Sequence, residues 1–178
     1  MQVAFLFGRR NVMNTAYYHN VYVKIAIIIL IVIYIIWPLM KKVKKIIQRQ
    51  IRHKQYLDSP LASIDRMKGD EFEEYLAAHF RKLGYRVSLT PKSNDYGADL
   101  IIKKDGESIV VQAKRYRDKV GIKAIQEIIG ARGYYKADKM MVVTNSYFTS
   151  AAYKLAAAND VTLWDRNSIN QFFKIKKG

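Results

Sequence analysis

The chain has 178 residues, with 31 Lys and Arg against 15 Asp and Glu, a formal net charge of +16 and no cysteine. That length has room for one compact domain and an appendage, and the missing thiols exclude disulfides, zinc–thiolate sites and cysteine nucleophiles together. The charge points to an anionic partner, nucleic acid or an anionic membrane surface, without choosing between them.

Residues 1–20 carry only Arg9 and Arg10 as charges, and residues 21–40, VYVKIAIIILIVIYIIWPLM, carry only Lys24. The second stretch predicts a membrane-spanning helix. The uncharged run between Lys24 and Lys41 makes about 24 Å of helix against a hydrocarbon core of about 30 Å. Snorkelling of Lys24 recovers the missing turn, and Tyr22 and Trp37 fall near the two interfaces. The following stretch, KKVKKIIQRQIRHK, has seven Lys and Arg and no acid, which places it on the cytoplasmic side and residues 1–20 outside. A cleaved signal peptide is the rival reading, but no small-residue cleavage site follows the apolar run. Val43, Ile46, Ile47 and Ile51 recur at helical spacing among the basic residues, which fits either a helix along the inner leaflet or a solvated basic stem. The expected organisation is thus an extracytoplasmic N-terminus (1–20), a transmembrane helix (21–40), a basic stem and linker (41–63) ending in LDSPLAS, and a soluble domain (64–178).

Within that domain, DEFEEYLAAHFRKLGY repeats apolar Phe72, Leu76, Phe80 and Leu83 at helical spacing and stops at Gly84. YRVSLT, ADLIIKK and ESIVVQAKRY read as strands, the last two joined by Asp105-Gly106, a strong hairpin signal. Then come a helix in GIKAIQEIIGARGYYKA, a buried strand in KMMVVT, a helix in SAAYKLAAAN, a short strand in VTLW and a final helix in RNSINQFFKI. The order α-β-β-β-α-β-α-β-α implies an α/β fold, a mixed sheet covered by helices.

The hairpin carries the chemistry. A two-residue turn pairs Lys104 with Glu107 and therefore Asp99 with Gln112, about 5 Å apart on one face. Lys114 lies two residues beyond Gln112 and shares that face. Leu100, Ile102, Ile109, Val111 and Ala113 point the other way and fix the register, since a one-residue slip would bury Asp99 and Lys114. Gly97, opposite Lys114, is expected to leave open space. Two readings of the spacing stand side by side: an Asp99–Lys114 ion pair on a solvated face, or a site for a hard cation and a phosphate. In the second, Asp99, the Gln112 carbonyl and the main-chain carbonyl of Ala113 offer oxygen ligands to Mg²⁺, and Lys114 orients water.

The stretches FEEYLAAHFRKLGYRV (72–87), TPKSNDYGADLII (90–102), VVQAKRY (110–116), VGIKAIQEIIGAR (120–132) and VVTNSYFTSAAYKLAAANDVTLWD (142–165) together resemble the Mrr-type restriction endonuclease domain. This is the branch of the PD-(D/E)XK nuclease superfamily whose last motif reads Gln-x-Lys. The resemblance implies a restriction-endonuclease-like αβββαβ core and phosphodiester hydrolysis with Mg²⁺ or Mn²⁺. It also implies catalytic roles for Asp99, Gln112 and Lys114, and for Glu73 of the first domain helix as the acid approaching the metal, with neighbouring Glu74 as the alternative. Asp95 matches an acid of the family's loop and Gln126 faces the same region in the family pattern, so both join the DNA-contact candidates. A dimer on DNA is a further expectation. Family members acting on methylated DNA usually carry a separate N-terminal recognition domain, and an apolar segment stands there instead, so methylation dependence does not transfer.

Beside the hairpin, Arg115, Tyr116, Arg117 and Lys119 suit phosphate-backbone contacts, or merely a solvated strand end. Thr144, Asn145 and Thr149 read as helix-capping residues, and most of the thirteen tyrosines as core or interface. The expected function is a membrane-anchored DNA endonuclease acting on foreign or modified DNA. The competing readings are a non-catalytic DNA tether at the membrane and a structure-specific repair or junction nuclease.

Overall fold

A computed structural model describes the backbone of residues 2–91 and 96–173, and side chains from Asn20 onward with Leu61 excepted. The chain divides into two units, residues 1–50 and 51–178.

The first unit is helical. Helix α1 (Gln2–Asp58) runs through it with Pro38 inside, and the portion from Asn20 on is long and apolar enough to cross a membrane. From Val23 to Met40 every side chain is exposed.

The second unit starts with the last turns of α1 and a short 3₁₀ helix (Leu61–Arg66). Helix α2 (Gly69–Lys82) follows, then β1 (Arg86–Leu89), β2 (Leu100–Lys104), β3 (Glu107–Lys114), α3 (Ile122–Tyr135), β4 (Lys139–Thr144), α4 (Ser150–Ala158), β5 (Val161–Trp164) and α5 (Arg166–Phe173). The LDSPLAS stretch, expected as a linker, is instead shared between the end of α1 and the 3₁₀ turn.

The five strands form one sheet in the order β1-β2-β3-β4-β5. The first three make an antiparallel meander, and β4 and β5 add in parallel. Asp105 and Gly106 both adopt positive φ, 52° and 85°, the requirement of a tight type I′ turn. The turn gives the expected register from Lys104 opposite Glu107 to Leu100 opposite Val111, where the ladder ends, so the expected Asp99–Gln112 pair is not part of it. The Asp99 amide then donates to the Val111 carbonyl at 2.9 Å.

Each face of the sheet has its own core. On one, Phe72, Tyr75, Leu76 and Phe80 of α2 and Ile169 and Phe173 of α5 pack on Leu100, Ile102, Val111, Met141 and Val143. On the other, Ala124, Ile125 and Ile128 of α3 and Ala152 and Ala156 of α4 pack on Val110, Met140 and Val142. Interior strand β4 is consequently buried from Met140 to Thr144, as a strand covered on both sides should be. The face bearing Gln112 is therefore not the open polar surface that the hairpin pattern suggests. Val110 belongs to it and Ile101 packs against it, and α3 closes over it.

Candidate active site

The site lies where β2 begins and β3 ends, under the flank of α3. Thr90 braces the approach to β2: its hydroxyl donates toward the carbonyls of Ala98 (2.6 Å) and Asp99 (3.0 Å), and its amide donates to the Asp99 carbonyl (3.0 Å). The Ala113 amide donates to Oδ2 of Asp99 at 2.7 Å, which fixes the carboxylate against β3. Gln112 is only 3% exposed. Its Nε2 donates to Oε2 of Glu127 at 2.7 Å, and its Oε1 is buried without a hydrogen-bond partner.

Lys114 forms an ion pair with a residue of α3. Its Nζ meets the same Glu127 oxygen at 2.9 Å, and Lys123 stands 3.9 Å from the other. Burial pushes the Glu127 carboxyl up, but hydrogen bonds from Lys114 and Gln112 outweigh this and hold it below its ordinary value. It is a carboxylate at neutral pH, and an acceptor only.

Glu127 escaped the sequence reading, which selected its neighbour Gln126. Gln126 is exposed and lies one helical turn from Ile122 and Gly130, both also exposed. Glu127 stands three residues after Ala124 and four before Ala131, on the inward side. The buried Ala124, Ile125, Ile128 and Ala131 stripe was the available signal.

Gly97 lets the helix come this close. Its φ is +90°, and a Cβ there would lie 2.6 Å from the Glu127 carbonyl oxygen and 2.9 Å from its carbon. The space expected to be open opposite Lys114 is thus occupied by α3 backbone.

Glu73 is half-buried on α2, the helix of the opposite sheet face. Glu74 is held by Arg52 at 3.3 Å. Asp95 lies outside the described residues. Tyr116, Arg117 and Lys119 are exposed, whereas Arg115 is half-buried with its Nη1 directed to the Asp65 carbonyl at 3.4 Å.

Of the residues read as helix caps, only Thr149 is one, accepting from the Ala152 amide at 3.1 Å. Thr144 and Asn145 instead secure the exit of β3: the Thr144 hydroxyl donates to the Lys114 carbonyl (2.7 Å), and Asn145 Oδ1 accepts from the Tyr116 amide (2.8 Å). The Asn145 amide donates to Asp65, which also receives both guanidinium nitrogens of Arg166 at 2.7 and 2.9 Å. Tyr75 is core, but Tyr96, Tyr116, Tyr134, Tyr147 and Tyr153 are exposed.

Among the described residues no cluster of three or more His, Asp, Glu or Cys is arranged around a cation. The donor set is thinner: one carboxylate, one buried amide oxygen lacking a partner, and main-chain carbonyls. That suits Mg²⁺, which takes few protein oxygens and keeps several waters.

A mixed five-stranded sheet with helices on both faces, and an αβββαβ order that brings an acid beside a Gln-x-Lys pair, defines the restriction-endonuclease-like class of nuclease domains. The chain belongs to the restriction endonuclease family Mrr_cat, whose sequence model matches residues 64–173, more than half its length. No curated protein matches it. Solved structures similar to it include the DNA modification-dependent restriction endonuclease AspBHI (21% identity, TM-score 0.49, 69% of this chain and 35% of that one). MspJI restriction endonuclease in complex with a 27-mer oligonucleotide follows at 17% identity and TM-score 0.43, covering 70% and 30%. A protein of unknown function, AF1548, shares 16% identity at TM-score 0.45, covering 51% and 54%. The match spans about a third of the two endonucleases and about half of AF1548.

Proposed function

We propose that this protein is a membrane-anchored, Mg²⁺-dependent DNA endonuclease that hydrolyses phosphodiester bonds of foreign or modified DNA. The observation that supports the reading is the Asp99 carboxylate held on the Ala113 amide, between Gln112 and Lys114 in β3, with a buried Gln112 Oε1 that has no hydrogen-bond partner among the described residues. Leaving such an acceptor unpaired costs about 1–3 kcal/mol, which a bound cation would recover. Asp99, Gln112 Oε1 and the Ala113 carbonyl would hold Mg²⁺ or Mn²⁺, with Glu73 approaching from α2.

When bound, the metal supplies Lewis-acid polarisation of the phosphate and a more acidic water. The chain's own groups do the rest. Lys114 Nζ orients the attacking water and offsets charge developing on the phosphate oxygens. Ala113 N–H holds the Asp99 carboxylate in place. Exposed Tyr116, Arg117 and Lys119, together with Arg115, Gln126 and Asp95, are the proposed DNA-contacting groups, of which the cations bind phosphates without reading sequence.

The unburied apolar portion of α1 supports a single-pass anchor, and the basic run that follows supports a cytoplasmic nuclease domain. Incubating the full chain, purified in detergent, with supercoiled plasmid and Mg²⁺ tests the activity. Nicked or linear product that EDTA abolishes is the expected result. Intact plasmid on both modified and unmodified DNA, with binding retained, would leave a DNA tether in its place. Two-strand cleavage that rises with the square of enzyme concentration would indicate action as a dimer.

A further inference from the structure

We propose that Glu127 is a positioning residue: its carboxylate fixes the Gln112 amide with Oε1 toward the metal side and holds Lys114 in line beside it. The inference rests on the nuclease reading above and adds to it a residue outside the Gln-x-Lys motif.

The argument starts from the near-symmetry of a glutamine side chain. Its NH₂ and oxygen are almost isosteric, so only the hydrogen-bond partners decide which end faces which way. At Gln112 the deciding partner is Glu127 Oε2, 2.7 Å from Nε2. A carboxylate can only accept, so the flipped amide would press its oxygen against another oxygen at that distance. The flip is disfavoured, and Oε1 is left buried and directed away from Glu127.

The same carboxylate oxygen takes Lys114 Nζ at 2.9 Å. One atom of α3 therefore sets two groups of β3 that sit two residues apart. The arrangement is rigidly supported, because Gly97 packs against the Glu127 backbone at a distance that no side chain would tolerate. Groups that orient a metal-binding side chain typically change metal affinity by 10–100-fold when removed.

Three variants of the full chain in detergent test this. The readout is Mn²⁺ binding, followed by the loss of the free-ion electron paramagnetic resonance signal, alongside plasmid cleavage and thermal melting. Glu127→Gln keeps the shape but accepts either amide orientation, and is expected to weaken Mn²⁺ binding about tenfold. Gln112→Glu sets two carboxylates against each other and is expected to weaken it as well, despite the added charge. The double variant Gln112→Glu/Glu127→Gln restores a donor–acceptor pair and is expected to recover binding to within about threefold of wild type.

Wild-type binding with Glu127→Gln unchanged overturns the positioning role and leaves the nuclease reading intact. A wild-type chain that neither binds Mn²⁺ nor cleaves DNA overturns both. Should Glu127→Gln fail to fold, the double variant decides: recovered binding supports the proposal, and absent binding in a folded protein overturns it.

Discussion

Replacing Gly97 by alanine tests how the site is held together. Two penalties add. A φ of +90° lies in the left-handed region, which costs an L residue roughly 1–2 kcal/mol. The new methyl would also lie 2.6 Å from the Glu127 carbonyl oxygen, so reaching an ordinary contact near 3.4 Å requires α3 to retreat by about 0.8 Å. Overpacking of this kind costs about 1–3 kcal/mol. The sum, about 2–5 kcal/mol, is a large share of the 5–15 kcal/mol typical of a domain, and corresponds to a fall in melting temperature on the order of 10 °C. The same retreat would stretch the 2.7 and 2.9 Å contacts of Glu127 to about 3.5 and 3.7 Å, beyond useful hydrogen bonding. Cleavage should drop together with stability. Gly106→Ala supplies the control, because Gly106 has a similar φ of +85° with open space around its missing Cβ; it should show the backbone penalty alone. Melting curves and plasmid cleavage of the full chain measure both effects. If Gly97→Ala melts no lower than Gly106→Ala and cleaves like wild type, the close approach of α3 is not what positions Glu127.

Lys114→Ala should reduce plasmid cleavage by at least about 100-fold while DNA affinity, measured by fluorescence anisotropy in Ca²⁺, changes less than about threefold; a chain that cleaves normally without Lys114 would remove it from the mechanism. His79 is 2% exposed, and burial lowers its pKa from 6.5 to about 4. Because the unfolded chain takes up this proton first as pH falls, the neutral side chain's contribution is complete above pH 6.5 and is lost between there and about 4. The loss is about 2 kcal/mol by pH 5. His79→Phe should therefore show a shallower acid decline in denaturant midpoint than wild type, and equal slopes would mean that His79 protonates within the fold. In membranes, the full chain should resist extraction by high salt and by alkaline carbonate and yield only to detergent; release by salt alone would mean that the basic run, not α1, holds it there.

What the sequence made legible was local. Asp99, Gln112 and Lys114 lie on one hairpin whose Asp105-Gly106 turn leaves a single register over Leu100–Lys104, so their closeness follows from counting along two strands. Glu127 was hidden because it arrives from α3, and choosing between it and Gln126 amounts to a rotation of about 100° about the helix axis. The buried stripe through Ala124 and Ala131 decides that rotation, whereas the family pattern drew attention to Gln126. Asp65 and Arg166 are still less visible, since their bidentate pair joins positions 101 residues apart, and no periodicity reports a contact of that kind. The second core was misjudged for a different reason. Polar Asp99, Gln112 and Lys114 dominated the pattern of one sheet face, although Ile101 and Val110 on that same face already signalled a covering helix.

That cover changes what the polar residues mean. On an open sheet face Asp99, Gln112 and Lys114 would be hydrated, and their presence would need no explanation beyond solubility. Beneath α3 each needs a partner. Asp99 receives the Ala113 amide, and Lys114 and one end of Gln112 share Glu127. The residual imbalance falls on Gln112 Oε1 alone among these contacts. Apolar residues of similar size would pack there without that penalty, as Val110 and Val142 do beside it. The proposed cation site would give that oxygen, unpaired among the described residues, the partner that the fold does not supply.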